Sequence, residues 1–126
     1  MTSITDQPAP TPRPDLIPVW DHVVMDFRLR FEDALDGVDD DNKDVAWQVL
    51  NDMRERDELG RARYGTPLTT NNGRDPLVDA YQEMLDGVAY LKAAWLEGQP
   101  VRYLYYKQID GLIVLRRFIL AREGSK

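Results

Sequence analysis

The sequence predicts an all-α protein: a bundle of four helices preceded by an extended, proline-rich arm. Three observations predict it. Apolar residues recur at spacings of three and four in four separate stretches. No stretch carries the apolar/polar alternation that marks a strand. Glycine and proline fall between the stretches, at Gly37, at Gly65 with Pro67, and at Gly98 with Pro100, where helices stop.

Residues 1–15 hold Pro8, Pro10, Pro12 and Pro14 in alternation with other residues. Such a segment cannot donate a regular backbone ladder, so it is expected to be a flexible or extended arm. Residues 16–126 then form one domain, the size at which a chain of this length buries a real core. The first helix is expected over 17–35, where Trp20, Val23, Val24, Phe27, Phe31, Ala34 and Leu35 make one stripe. His22, the chain's single histidine, lies off that stripe and reads as a solvent-facing residue. Asp36–Asp44 has its glycine second and its acids contiguous, which does not fit an EF-hand, so it reads as a helix end and a capping loop.

The second helix is expected over 43–64, with Ala46, Val49, Leu50 and Met53 as its core face and Gly60 allowing close approach of another helix. Gly65 suits its C-cap and Pro67 enforces the stop. Asn72-Gly73 is a turn dipeptide, and Asp75-Pro76 reads as N-cap and first position of a third helix over 76–97. Leu77, Tyr81, Met84, Val88, Leu91 and Trp95 form its stripe, and Ala80, Gly87 and Ala94 offer a flank to a neighbouring helix. The fourth helix, over 101–122, starts with Tyr103, Tyr105 and Tyr106 and becomes apolar around more than half its circumference. A helix that apolar is central to its bundle or lies at a subunit interface.

Composition narrows the chemistry. A net charge of -6 and a pI near 4.7 argue against binding to nucleic-acid polymers or acidic membranes. With no cysteine and one histidine, thiolate and His-rich metal sites are excluded, as is a His-His catalytic pair. Carboxylates, Lys/Arg, hydroxyls and amides remain, an inventory that suits hard, oxygen-liganded ions such as Mg2+ or Mn2+. No apolar run approaches the ~20 residues of a membrane span. The N-terminus lacks the basic start and apolar core of a secretory signal, so cytoplasmic residence is expected.

Two acid pairs stand out. Glu55 and Glu58 lie three apart on the second helix, and Glu83 and Asp86 lie three apart on the third. Each pair has another acid about a turn upstream, Asp52 and Asp79 respectively. Spacings of three and four put side chains on one helix face. Solvated faces of an acidic protein account for such pairs; so does a bound cation, which would relieve the crowding of like charge. Spacing alone does not decide between them.

Further residues do bear on the choice. Glu-Arg-Asp-Glu at 55–58, Ala-Arg-Tyr-Gly-x-Pro-Leu at 62–68, Asn-Gly-Arg-Asp at 72–75 and Asp-Ala-Tyr-Gln-Glu-Met-Leu-Asp at 79–86 follow one another in this order. The run resembles the MazG-like all-α nucleoside triphosphate pyrophosphohydrolases, especially small phage-encoded ones, over about residues 43 to 97. The resemblance implies Mg2+-dependent cleavage of a ribo- or deoxyribonucleoside triphosphate to the monophosphate and pyrophosphate, with Mn2+ as an alternative ion. Glu55, Glu58, Glu83 and Asp86 would be the metal ligands, with Asp79 a further ligand or a partner of one. Glu55 and Glu58 would be the catalytic residues, Glu55 serving as general base if it stays clear of the metal. Arg61, Arg63, Arg74 or Lys107 would hold the outer phosphates, and Tyr64, Asn72 or a tyrosine of the fourth helix would meet base or sugar. Assembly as a homodimer or homotetramer is implied too, in the host cytoplasm for a phage protein. Arg54 stands where the family pattern often has the first of paired glutamates. A module that binds a nucleotide without hydrolysing it is therefore the alternative reading.

Overall fold

The computed structural model describes residues 16–36 and 45–124. The proline-rich arm and most of the Asp36–Asp44 loop lie outside the described residues. Every regular element among those described is a helix: α1 Val19–Arg30, α2 Glu32–Asp36, α3 Val45–Tyr64, α4 Pro76–Leu96 and α5 Arg102–Gly124. These fall into two compact units, one ending at Gly73 and holding α1 to α3, the other beginning at Arg74 and holding α4 and α5.

In the first unit the expected single helix over 17–35 is two helices. The chain leaves helical geometry at Phe31 (φ -115°, ψ 28°), although Phe31 still donates to the Phe27 carbonyl at 3.0 Å. The two rings pack 4.7 Å apart. Helix resumes at once because Glu32 and Asp33 occupy the first turn of α2, where acids meet the positive end of the helix dipole. Beyond the break Leu35 enters the core, with Ala46 and Leu50 of α3. Val24, Phe27, Ala34 and Trp47 surround that core, and the Trp47 indole N–H donates to the Leu35 carbonyl at 3.2 Å. Leu50 is fully buried. His22 is exposed, as its place off the stripe indicates.

Helix α3 ends as expected. Gly65 adopts a left-handed φ of 72° and donates to the Arg61 carbonyl at 2.8 Å, a conformation that side-chain-bearing residues resist. The loop that follows is fastened to the segment before α1. Val19 N–H donates to the Leu68 carbonyl at 2.8 Å and Thr70 N–H to the Ile17 carbonyl at 3.0 Å, leaving Thr69 buried. The room that Gly60 offers a neighbouring helix is not used among the described residues, since beyond its own stretch of α3 nothing lies within 4 Å of where its Cβ would be.

The second unit is a helical hairpin. Asp75 caps α4, accepting from Leu77 N–H at 3.1 Å and Val78 N–H at 3.4 Å, and Pro76 takes the position where a missing N–H costs nothing. Gly98 (φ 99°) ends α4: its N–H donates to the Trp95 carbonyl and that of Gln99 to the Ala94 carbonyl, both at 2.9 Å. This crossed pair of bonds satisfies the last carbonyls of the helix. Helix α5 then packs along α4. At the small residue Gly87 a Cβ would stand 2.9 Å from the Gln108 amide nitrogen, and that amide donates to the Met84 carbonyl at 3.4 Å. The flank of small residues does, at Gly87, accommodate a neighbouring helix.

Candidate functional site

The sequence expects chemistry from two acid-bearing helix faces, one in each unit. On α3, Glu55 and Glu58 are both exposed, as is Asp52 a turn earlier. Asp57, between them in sequence, is different: its side chain is only 19% exposed, and it accepts from Arg61 Nε at 2.9 Å. Arg61 also stands 3.6 Å from Asp21 of α1. The hydrogen bond to Asp57, with the two carboxylate charges beside it, raises the Arg61 pKa above its ordinary value. Arg61 therefore links α3 to α1 through carboxylates. Arg63 lies with its guanidinium 5.4 Å from the centre of the Tyr64 ring, and both are exposed. Asn72 is buried, next to Asn71 in a left-handed conformation (φ 50°) and Gly73 (φ 91°).

On α4, Glu83 and Asp86 are exposed on the face opposite the apolar stripe, followed by Tyr90 at 73% exposure. Asp79, one turn upstream, is half-buried and engaged. Arg74 donates to it through two nitrogens, Nη2 to Oδ1 at 2.5 Å and Nε to Oδ2 at 2.9 Å, the bidentate arrangement that a guanidinium suits best. The expected metal neighbour Asp79 and the expected phosphate holder Arg74 thus hold each other. Lys107, on α5, lies 5.5 Å from the centre of the Tyr103 ring.

A second bidentate pair sits beside the first. Arg122, near the end of α5, donates to both oxygens of the cap residue Asp75 at 3.0 and 2.6 Å. The sequence carries no signal of it, because the partners are 47 residues apart. The Arg122 hydrogen bonds pull the Asp75 pKa below its ordinary value, and the same bonds raise that of Arg122. The folded chain therefore holds the Asp75 charge more firmly than the unfolded chain. The resulting stabilisation is complete above the ordinary carboxylate pKa of about 3.9 and is lost as pH falls through the lower folded value. Asp75→Asn keeps a capping oxygen and loses the ion pair. It is expected to lower the melting temperature at pH 7 by a few degrees and to weaken the dependence of stability on pH below about 4. Thermal melts of both proteins from pH 2 to 7 check this.

The acids therefore sort into two classes. Asp57, Asp75 and Asp79 are tied to arginines. Glu55, Glu58, Glu83 and Asp86 make no ion pair among the described residues. No three of His, Asp and Glu are gathered as a metal-binding group among the described residues. A Mg2+ ion does not need three, since it keeps several waters and is held by one or two carboxylates together with substrate phosphates. Each exposed pair has the donor chemistry for such an ion. No described helix is long and apolar enough to cross a membrane. Comparison of the chain with family models, with curated proteins and with solved structures gives no match.

Proposed function

We propose that this protein is a Mg2+-dependent nucleoside triphosphate pyrophosphohydrolase of the MazG-like type, built on that family's helical bundle and acting in the cytoplasm as a homo-oligomer. The observation that carries the reading is the division of the acids. Arginines neutralise Asp57 and Asp79 but leave two exposed pairs, Glu55/Glu58 and Glu83/Asp86, at the same spacing on the two helices where the motif expects them. Unrelieved charge on one face is tolerated more readily if a cation resides there for part of the working cycle.

In the proposed reaction a water oxygen bonds to the α-phosphorus as the bridging Pα–O bond to the β-phosphate breaks. Pyrophosphate leaves with that bond's electron pair, and the water's proton passes to Glu55. When bound, Mg2+ supplies charge neutralisation of the phosphate chain and acidifies the attacking water. The candidate ligands that would hold it are Glu58 on α3, with Glu55 when it is not acting as base, and Glu83 and Asp86 on α4. Arg63 and Lys107, exposed cations without an ion pair among the described residues, are placed in the role of outer-phosphate partners. Arg61 and Arg74 fill that role only if their carboxylate pairs open. Asp79 acts through Arg74, holding that guanidinium in place at the start of α4.

Metal binding tests the assignment without any turnover. Mn2+ added to the full chain at about a hundred times its dissociation constant is expected to stabilise it by roughly 2.7 kcal/mol. That gain should vanish in Glu58→Gln/Glu83→Gln. An equal gain in the wild type and in that variant would remove these residues from the ligand set.

A further inference from the structure

The loop between α3 and α4 contains Asn72-Gly73, a dipeptide open to attack on itself. The Gly73 backbone nitrogen bonds to Cγ of Asn72 and closes a five-membered succinimide ring. Ammonia leaves with the electron pair of the broken C–N bond and with the proton of the glycine N–H. Water then adds at one of the two ring carbonyls and opens the ring to aspartate or to isoaspartate. Glycine favours the first step because it has no side chain to shield its nitrogen. Water is the only other reactant.

The fold withholds Asn72 from this chemistry. Asn72 is only 8% exposed and has interactions of its own. Just before it the loop is clamped: Thr70 N–H donates to the Ile17 carbonyl at 3.0 Å, Val19 N–H donates to the Leu68 carbonyl at 2.8 Å, and Thr69 between them is buried. All of these residues belong to the first unit. Ring closure requires the Asn72 side chain to swing onto the Gly73 nitrogen, and a buried side chain on a clamped loop does so only when the loop opens. The clamp consists of two backbone hydrogen bonds, far fewer than hold a helix, so it opens more readily than the unit unfolds.

We infer that Asn72 is a conformation-gated modification site: it deamidates while the clamp between residues 17–19 and 68–70 is open, and the product then keeps the loop from closing again. Aspartate would put a charge where an amide was buried, which is costly without a partner. Isoaspartate inserts one more carbon into the main chain before Gly73. Either product makes each opening that it captures irreversible. The inference needs neither metal nor nucleotide and is independent of the reaction proposed above.

The test follows the tryptic peptide 64–74 of the full chain by mass spectrometry during incubation at mildly alkaline pH. Asn71 in the same peptide precedes an asparagine instead of a glycine and is the internal control. In the urea-unfolded chain Asn72 is expected to convert well ahead of Asn71, and about tenfold or more faster than in the folded chain. Thr70→Pro deletes the N–H that bonds Ile17 and should raise the folded rate by about fivefold or more, with circular dichroism verifying that the helices are kept. Urea too dilute to melt the helices should accelerate conversion in the wild type as well, a readout that does not depend on how the variant folds. Equal rates in the folded and unfolded wild type overturn the inference. So does acceleration by urea only where helix is lost, or a folded Thr70→Pro no faster than the wild type.

Discussion

Glu83→Ala/Asp86→Ala is expected to lose nucleotide hydrolysis by about a thousandfold or more while remaining fully folded. Both side chains are exposed on α4 and make no ion pair among the described residues. The contacts that hold the hairpin together are elsewhere, at the Asp75 cap, the Arg122 pair and the packing of Gln108 over Gly87. Removing two like charges from one helix face relieves repulsion, so the metal-free variant should melt no lower than the wild type and even slightly higher. Activity and stability then move in opposite directions, which a merely solvated acidic face would not produce. Steady-state turnover and a chelator-treated melt, run on the same preparation, read both. Full turnover in the variant would remove Glu83 and Asp86 from the site.

Leu50→Ala is expected to have the largest effect on stability, about 3 kcal/mol, lowering the melting temperature by on the order of 10 °C. Leu50 is fully buried where α2 and α3 meet, and few other residues of the first unit are buried with it. The cavity left behind cannot be refilled by Leu35 or Ala46 without moving a helix. Leu59, a few turns along the same helix, is 60% exposed, and its replacement by alanine should cost under about 0.5 kcal/mol. Denaturant midpoints of the two variants give the comparison. Similar losses would mean that the Leu35–Ala46–Leu50 cluster does not hold the first unit together.

What was legible in the sequence is what local chemistry determines. Gly65 and Gly98 announced their helix ends because glycine takes a φ of 72° or 99° at no steric cost. Asp75-Pro76 announced the start of α4 because a capping carboxylate and a residue without an N–H are what that position needs. The exposure of Glu83 and Asp86 followed from their place opposite the stripe that starts at Leu77. The break at Phe31 was hidden, since neither glycine nor proline marks it and the apolar spacing runs through it. The fastening of Leu68 and Thr70 to Ile17 and Val19 was hidden too, because it is made by backbone groups that any residue carries.

The same division holds for the candidate site. Spacing placed each acid pair on one face of its helix, a matter of 3.6-residue geometry alone. It did not tell which acids were already neutralised. The Arg122–Asp75 and Arg74–Asp79 pairs depend on how chain segments return to one another. Asp57–Arg61 could have been read, being an acid four residues before a base on a helix, the more favourable order.

The products formed from a nucleoside triphosphate test the proposed reaction. The full chain is incubated with a panel of ribo- and deoxyribonucleoside triphosphates and Mg2+, and the products are resolved by chromatography. The expected products are a nucleoside monophosphate and pyrophosphate in equal amounts, with none formed once the metal is chelated. Diphosphate with inorganic phosphate would contradict it, because the bond broken would then lie beyond the β-phosphorus. Tight retention of one nucleotide without turnover would contradict it as well, and would make this chain a nucleotide-binding module.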